Sequence, residues 1–351
     1  MDFLLAILRE ALWGERLLAD IPAPAIPSLL KEAEAQTVLA LVADVLMARN
    51  AKMKSGLVYE MVASVSAIEQ SNIRLNAELA NFARLMADNH IDYFVVKGQT
   101  LAALYPKPTL RMPGDIDFLV KDYGRAAKVL HDKWNVELPP KAILKEVAFL
   151  HDDVLYELHT YLIDFGCKRH KRNWEQMIAE THVSSIDING ESICVLEPNL
   201  YVAYVFAHLF FHFIHEGIGM RHLCDMAIVL HHYRGEVAKE RLQEILDNIG
   251  LAKAFRAFGS ILVDKLGLTS FPFVLTESDR IFQKRIMSDI FSGGNFGKER
   301  RSVKVFGMGY KLETLWLTTR QCAKYLPLAP KELLMQIPRR LLMNVRLLTQ
   351  K

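Results

Sequence analysis

The chain has 351 residues, of which 51% are hydrophobic and 24% are charged, and its formal net charge is +3. This length accommodates two or three domains, and the composition is that of an ordinary folded protein. So small a positive charge fits an anionic small ligand. Together with the lack of interleaved basic and aromatic residues, it argues against a long nucleic-acid partner.

The cysteines and the apolar runs bear on the cellular compartment. The cysteines form no C-x-x-C pair, which argues against a zinc knuckle or a disulfide framework and suits a reducing cytosol. The four lie far apart at Cys167, Cys194, Cys224 and Cys322. The first ten residues lack the basic region and cleavage site of a signal peptide, and the apolar run 200–214 is too short to span a bilayer. We therefore expect a cytoplasmic protein without a transmembrane segment.

Residues 1–89 are predicted to be helical. Apolar residues recur at spacings of three and four, and Ala, Leu, Met and Glu, all good helix formers, dominate the composition. We find no catalytic motif in this region.

A buried strand is predicted at residues 91–96, where β-branched and aromatic residues form a continuous apolar run. Lys97 and Gly98 follow it directly. Gly98 allows a tight turn, and a short helix is predicted to begin near Thr100.

A second strand is predicted from Asp115 to Val120. Alternate side chains of a strand lie on the same face, so Asp115 and Asp117 would face the same side with Cα atoms about 6–7 Å apart. Two carboxylates on one face of a buried strand repel each other and lose hydration. The pair is therefore hard to explain without a cation.

Two further pairs of strands are predicted. Residues 146–151 and 154–162 are joined by Asp152 and Asp153, and the second strand has Glu157 and His159 on one face. A hairpin turn is predicted at Asn189-Gly190. From Pro198 onward the pattern is helical, so the predicted organisation is a helical N-terminal region at 1–89, an α/β core at 90–197 and a helical C-terminal region at 198–351.

Several of these motifs together resemble a bacterial family of uncharacterised nucleotidyltransferases within the polymerase-beta superfamily. They are Lys97-Gly98, Tyr105-Pro106, the string from Arg111 through Gly114-Asp115-Ile116-Asp117 to Val120, and Glu157-Leu158-His159. The resemblance covers roughly residues 91–230. It implies an α+β fold with a polymerase-beta-type core, a small mixed sheet with helices, flanked by helical regions.

The resemblance also implies an activity. A nucleoside monophosphate would pass from a nucleoside triphosphate to an acceptor, with Mg²⁺ or Mn²⁺ as the cofactor and pyrophosphate as the product. Asp115, Asp117 and Glu157 would be catalytic and would ligate the metal. The nucleotide would contact Lys97, Gly98, Gln99, Thr100, Arg111, Gly114 and His159. Many members of the superfamily have Gly-Ser where this chain has Gly98-Gln99-Thr100, so Thr100 and backbone amides would take over phosphate binding.

Alternatives stay open at the level of the sequence. The aspartates could be solvated at the start of a strand, and Asp152 or Asp153 could replace Glu157 as the third ligand. Lys97 and Arg111 could form structural ion pairs, and His159 could be a packed histidine. A catalytically inactive nucleotide-binding or scaffold module of the same fold is the competing functional class. The acceptor is expected to be a small molecule or a sugar-linked molecule, and the residues specify neither it nor the base of the nucleotide.

Overall fold

The computed structural model describes residues 2–139, 145–295 and 308–337. The chain divides into two compact units. The first comprises Met1–Glu34, Val38–Leu162 and Glu180–Val205, and the second comprises Ala35–Thr37, Ile163–Ala179 and Phe206–Lys351. Helices coexist with a small mixed sheet, which confirms the predicted α+β class.

The helices that precede the sheet confirm the helical prediction for the N-terminal region. They are α1 (Asp2–Trp13), α2 (Ile26–Ala35), α3 (Leu39–Ala48) and α4 (Ser55–Asp88). The last of these is 34 residues long, and its C-terminal half packs on the sheet of the first unit through Leu75, Leu79 and Phe82.

The larger sheet has four strands in the order β1-β2-β4-β3. Its strands are β1 (Tyr93–Val95), β2 (Ile116–Val120), β3 (Glu146–His151) and β4 (Val154–His159). The β2–β4 pair is parallel, and the β1–β2 and β3–β4 pairs are antiparallel. The hairpin predicted around Asp152 and Asp153 is confirmed, and β1 is shorter than the predicted strand.

The register of the sheet separates an apolar face from a polar one. Phe118 lies opposite Leu158 across the β2–β4 pair, and these side chains belong to the core beneath α4. Asp117 lies opposite Glu157 in the same pair. Because side chains alternate along a strand, this second pair points to the other face of the sheet.

Further elements complete the first unit. They are the short helix α5 (Gln99–Ala102), α6 (Tyr123–Trp134), the strands β5 (Val183–Ile188) and β6 (Glu191–Leu196), and the first half of α8 (Pro198–His215). The predicted hairpin turn is confirmed, because Asn189 and Gly190 both have positive φ, at 55° and 80°, as a two-residue type I′ turn requires.

The described residues of the second unit are mainly helical. Its helices are α7 (Lys168–Ala179), the second half of α8, α9 (Met220–His232), α10 (Lys239–Asn248), α11 (Ala252–Asp264), α12 (Glu277–Arg280), α13 (Gln283–Gly293) and α14 (Met308–Tyr325). Residues 330–337 are also helical. None of the helices in the described ranges combines the length and the apolar character that crossing a membrane would need.

A buried carboxylate, Glu332, organises one part of the second unit. It accepts hydrogen bonds from the backbone amide of Gly166 and, at 3.2 Å, from that of Cys167. It also contacts His170 Nδ1 at 2.8 Å and accepts a bond from Gln336 Nε2 at 3.0 Å. Each of its two oxygens has two donors, so the cost of burying the charge is offset within the protein.

Candidate functional site

Asp117 is the centre of the polar face of the sheet. Its side chain is 0% exposed. Both of its direct partners contact the same oxygen, Oδ1: Lys97 Nζ lies at 2.8 Å and His159 Nε2 at 2.8 Å. The other oxygen, Oδ2, is buried and has no hydrogen-bond partner among the described residues. A fully buried carboxylate therefore keeps one oxygen available for a further ligand.

Glu157 lies beside Asp117 because the two residues are paired in register on neighbouring strands. His159 follows on the same face of β4, with Nε2 at 3.8 Å from a Glu157 oxygen. One ligand atom from each of Asp117, Glu157 and His159 lies within 4.8 Å of the others. Two strands thus bring two carboxylates and an imidazole to one point.

Asp115 lies just outside the strand, which corrects the prediction that β2 includes it. The strand begins at Ile116, and Asp115 is partly buried in the preceding loop. Only Asp117 lies in the strand, so strand alternation does not place the two aspartate side chains on one face. Their charges still interact: burial, followed by the negative charge of Asp117, raises the pKa of Asp115.

The carboxylates of the site differ sharply in proton affinity. Burial acts to raise the pKa of Asp117, but the Lys97 ammonium and the His159 ring hold it well below its usual range. Burial, followed by the charges of Asp117 and Asp115, raises the pKa of Glu157 to about 8. The site therefore concentrates more carboxylate charge than the single lysine neutralises, which is the condition that a divalent cation relieves.

Gly98 brings Lys97 and Asp115 close together. Its φ is 68°, in the left-handed region, and a Cβ atom at this position would lie 2.7 Å from the carbonyl oxygen of Asp115. Glycine is therefore required both by the backbone conformation and by the space. The turn ends β1 and starts α5, in which the N–H groups of Leu101 and Ala102 donate to the Gly98 carbonyl at 3.2 and 3.0 Å.

The site can now be compared with known proteins. The model of a family described as "Uncharacterised nucleotidyltransferase" matches residues 22–264, which is more than half of the chain. The chain belongs to this family.

The chain was also compared with curated proteins and with solved structures. No curated protein matches the chain. A solved structure, described as an antigenic nucleotidyltransferase-like protein from Paracoccidioides brasiliensis, is similar over 55% of this chain and 92% of its own, with 13% identity and a TM-score of 0.32.

Gln99 and Thr100, which the sequence predicts to bind a nucleotide, have buried side chains with partners of their own. Thr100 Oγ1 donates to the Lys97 carbonyl at 3.2 Å and lies 2.8 Å from the Tyr201 hydroxyl. Gln99 Nε2 donates to Asn76 Oδ1 at 2.6 Å. These hydrogen bonds stabilise the turn and occupy both side chains. The groups of the turn that suit phosphate are therefore its backbone amides.

Arg111 and Gly114 lie on the loop before β2. Arg111 is 5% exposed, its guanidinium donates to the Met112 carbonyl at 3.4 Å, and its own carbonyl accepts from Asn72 Nδ2 at 2.8 Å. Gly114 is exposed, and a Cβ atom there would meet nothing within 4 Å. No steric contact with the described part of the chain therefore requires glycine at this position.

Three residues near the site were missed by the sequence reasoning. Tyr201 contacts Thr100, and burial followed by the charge of Asp117 raises the pKa of Tyr204 well above its usual value. Glu146 lies opposite His159 in the β3–β4 ladder, with Oε2 at 3.6 Å from His159 Nδ1. Tyr201 and Tyr204 lie in an apolar helix, and the only sign of them in the sequence is their spacing of three residues.

Proposed function

We propose that the protein transfers a nucleoside monophosphate from a nucleoside triphosphate to a hydroxyl group of an acceptor, releasing pyrophosphate. Membership of a nucleotidyltransferase family supports the class of reaction. The layout of the sheet and the position of its acidic residues support a polymerase-beta-type core. The acceptor is proposed to be a small or sugar-linked molecule.

One observation carries this proposal. Asp117 is fully buried, both of its protein partners contact Oδ1, and Oδ2 has no partner among the described residues. An unpaired oxygen on a buried carboxylate costs free energy unless a further group satisfies it. Glu157 beside it supplies further oxygen ligands of the kind that magnesium and manganese prefer.

Asp115, Asp117 and Glu157 are the residues proposed to hold the cation. The ion, when bound, would supply charge neutralisation for the phosphates and a lower pKa for the acceptor hydroxyl. His159 and Lys97 hold Asp117 in its ionised state and fix the carboxylate in place.

Lys97 and the turn at Gly98 are proposed to bind the triphosphate. The Lys97 side chain is 23% exposed, so its ammonium can contact a ligand while it stays close to Asp117. Amide groups at the start of a helix favour phosphate oxygens, and Gly98 allows the backbone to approach them closely. Arg111 and Gly114 are proposed to complete this side of the site.

Glu157 is proposed as the group that accepts the proton of the acceptor hydroxyl. It lies beside Asp117 on the polar face of the sheet. In the unliganded protein burial and the charges of Asp117 and Asp115 raise its pKa to about 8, and a bound cation would bring the pKa down from that value. A general base is most effective when its pKa lies near the working pH.

The test is a transfer assay on the full-length chain. Each of the four nucleoside triphosphates, labelled at the α-phosphate, is incubated with a pool of metabolites in the presence and absence of Mg²⁺. The label is then followed into products as pyrophosphate is released. Asp117→Asn is expected to lower the rate by about 10³-fold, because a developing charge loses its main electrostatic support.

Asp92→Asn is the matched control. Asp92 is an exposed aspartate next to β1 that pairs with Lys121 at 3.6 Å, so its change should leave the rate unaltered. Equal rates for Asp117→Asn and the wild type would refute the enzymatic proposal. Nucleotide binding by the wild type without any transfer would favour the inactive binding module instead.

A further inference from the structure

A second group of potential ligands lies on the opposite face of the larger sheet. Glu78 of α4, His151 at the end of β3 and Asp152 in the following turn each present one ligand atom, and these atoms lie within 4.8 Å of one another. His151 pairs with Val154 across the β3–β4 ladder, on the face that packs against α4. The group therefore shares no residue with the cluster around Asp117.

We propose that Glu78, His151 and Asp152 form a binding site for a divalent transition-metal ion of the zinc or cobalt type. One imidazole nitrogen and two carboxylate oxygens are the donors that such ions accept, whereas magnesium prefers oxygen alone. The first cluster has the same donor types, but there His159 Nε2 is hydrogen bonded to Asp117 Oδ1 at 2.8 Å, and the ligands proposed for its cation are the carboxylates.

The distance between the histidine and the buried carboxylate fits a shared ion. His151 Nδ1 lies 3.3 Å from Glu78 Oε2. With zinc–nitrogen and zinc–oxygen bonds of roughly 2.0–2.2 Å, tetrahedral coordination separates two ligand atoms by about 3.4 Å. In the unliganded protein these two atoms are also within hydrogen-bond distance, in a longer contact than the 2.8 Å of His159 with Asp117 and of His170 with Glu332.

Outer contacts hold Glu78 and the half-buried His151 in position. The indole of Trp134 stacks on the His151 ring, with centroids 3.8 Å apart and planes at 15°. Asn81 Nδ2 donates to Glu78 Oε1 at 3.3 Å, and the Tyr156 hydroxyl donates to Oε2 at 3.4 Å. Such contacts orient metal ligands and raise the affinity of metal sites.

The negative charge at this point is partly compensated, by the contact of His151 with Glu78 and by the Arg74 guanidinium, which donates to the Asp153 carbonyl at 3.4 Å. In the described part of the chain, no lysine or arginine side chain forms an ion pair with Glu78 or Asp152. Glu78 is 8% exposed, so its charge is poorly hydrated, while Asp152 is exposed and leaves the site open to solvent. A bound cation would neutralise the two carboxylates and tie α4 to the β3–β4 hairpin.

Titration with Co²⁺, followed by the visible absorption of the protein-bound ion, tests the proposal on the full-length chain. The experiment starts from Asp117→Asn, which disables the first cluster. This variant is expected to bind one Co²⁺ ion that Zn²⁺ displaces. Adding His151→Gln should weaken that binding by at least about 100-fold, more than the loss of an outer-shell contact causes.

His131→Gln is the matched control, because His131 contacts Glu137 at 3.2 Å on the surface without a third ligand. It should leave Co²⁺ binding unchanged. Asp152→Asn alters an exposed turn residue that leaves the core intact, so it should weaken binding even if His151→Gln unfolds the chain.

Three results would overturn the proposal. One is the absence of saturation in Asp117→Asn up to about 1 mM Co²⁺, which would assign any wild-type binding to the first cluster. Another is equal weakening by His131→Gln and His151→Gln. The last is unchanged affinity in Asp152→Asn. None of them bears on nucleotidyl transfer, which the Asp117→Asn assay tests separately.

Discussion

The two compact units each contain a fully buried carboxylate bonded to a histidine ring at 2.8 Å. In the first unit the pair is Asp117 with His159, and in the second it is Glu332 with His170. Glu332 has two donors on each oxygen, including two backbone amides. Asp117 has both donors on one oxygen and further carboxylates close by.

This difference separates a structural charge from a functional one. Both oxygens of Glu332 accept hydrogen bonds from the protein, so the stability of the fold is enough to explain this buried charge. Among the described residues, hydrogen-bond donors contact only one oxygen of Asp117. The carboxylates of Glu157 and Asp115 lie close to it, and their repulsion raises the free energy of the unliganded protein. Destabilising charge of this kind is retained at sites that bind something.

The largest stability effect is expected from Glu332→Gln. The amide cannot accept all four hydrogen bonds and directs an N–H group at existing donors. Breaking a buried charged network by altering one partner costs about 3–5 kcal/mol. Urea denaturation should show this loss, while Glu244→Gln, at an exposed ion pair with Arg241, should change the unfolding free energy by less than about 0.5 kcal/mol. Equal stabilities would mean that Glu332 is not a structural anchor.

The same substitution at Glu157 is expected to act in the opposite direction. The folded pKa of Glu157 is raised from 4.5 to about 8. The unfolded state therefore loses its proton first, and the unliganded protein loses stability as the pH rises between these values. Glu157→Gln removes this loss and should stabilise the protein by roughly 2–4 kcal/mol at pH 8.

The measurement is a pair of unfolding curves in the presence of a chelator, at pH 8 and at pH 4.5. The gain from Glu157→Gln should shrink at the lower pH, where the wild-type carboxyl is protonated. A gain independent of pH would mean that packing, and not charge, separates the two proteins.

Gly98→Ala tests the turn that brings Lys97 to the site. The new Cβ would approach the Asp115 carbonyl to 2.7 Å, and φ is 68°. We expect a loss of about 1–3 kcal/mol, the usual cost of a strained backbone residue. Gly114→Ala is the control for stability, since a Cβ atom there meets nothing within 4 Å. Thermal unfolding of both variants should separate them, and equal melting temperatures would contradict the steric explanation.

The smallest effect is expected from Tyr201→Phe. The change removes the hydroxyl that lies 2.8 Å from Thr100 Oγ1 but leaves the bond from Thr100 to the Lys97 carbonyl. A single neutral hydrogen bond contributes about 0.5–1.5 kcal/mol. Denaturation should detect this loss, and wild-type stability would mean that the turn does not depend on Tyr201.

The sequence allowed the class of the fold and the centre of the site to be predicted, because both rest on local patterns. Apolar runs revealed the strands, and alternation within 154–159 set Glu157 and His159 on one face. The start of β2 was predicted one residue too early, since Asp115 has no local feature that excludes it from a strand. The nucleotide and metal roles of these residues remain predictions.

Other features depend on contacts between distant parts of the chain. Glu332 and His170 are separated by 162 residues, and Glu78 and His151 by 73. Neither pair belongs to a motif, and their meeting is decided by tertiary packing. Tyr201 lies in an apolar helix whose pattern indicates only burial. Single-sequence patterns carry no information on such partners.

The parallel pairing of β2 with β4 has a consequence for how the site tolerates mutation. A slip of one residue in β4 would turn Glu157 and His159 toward the core and expose Tyr156 and Leu158 on the polar face. Packing that selects the correct register therefore selects the correct site as well. A variant that folds should therefore keep Asp117 and Glu157 on the polar face. If a variant loses the proposed activity because β4 has slipped, it should lose the folded structure as well.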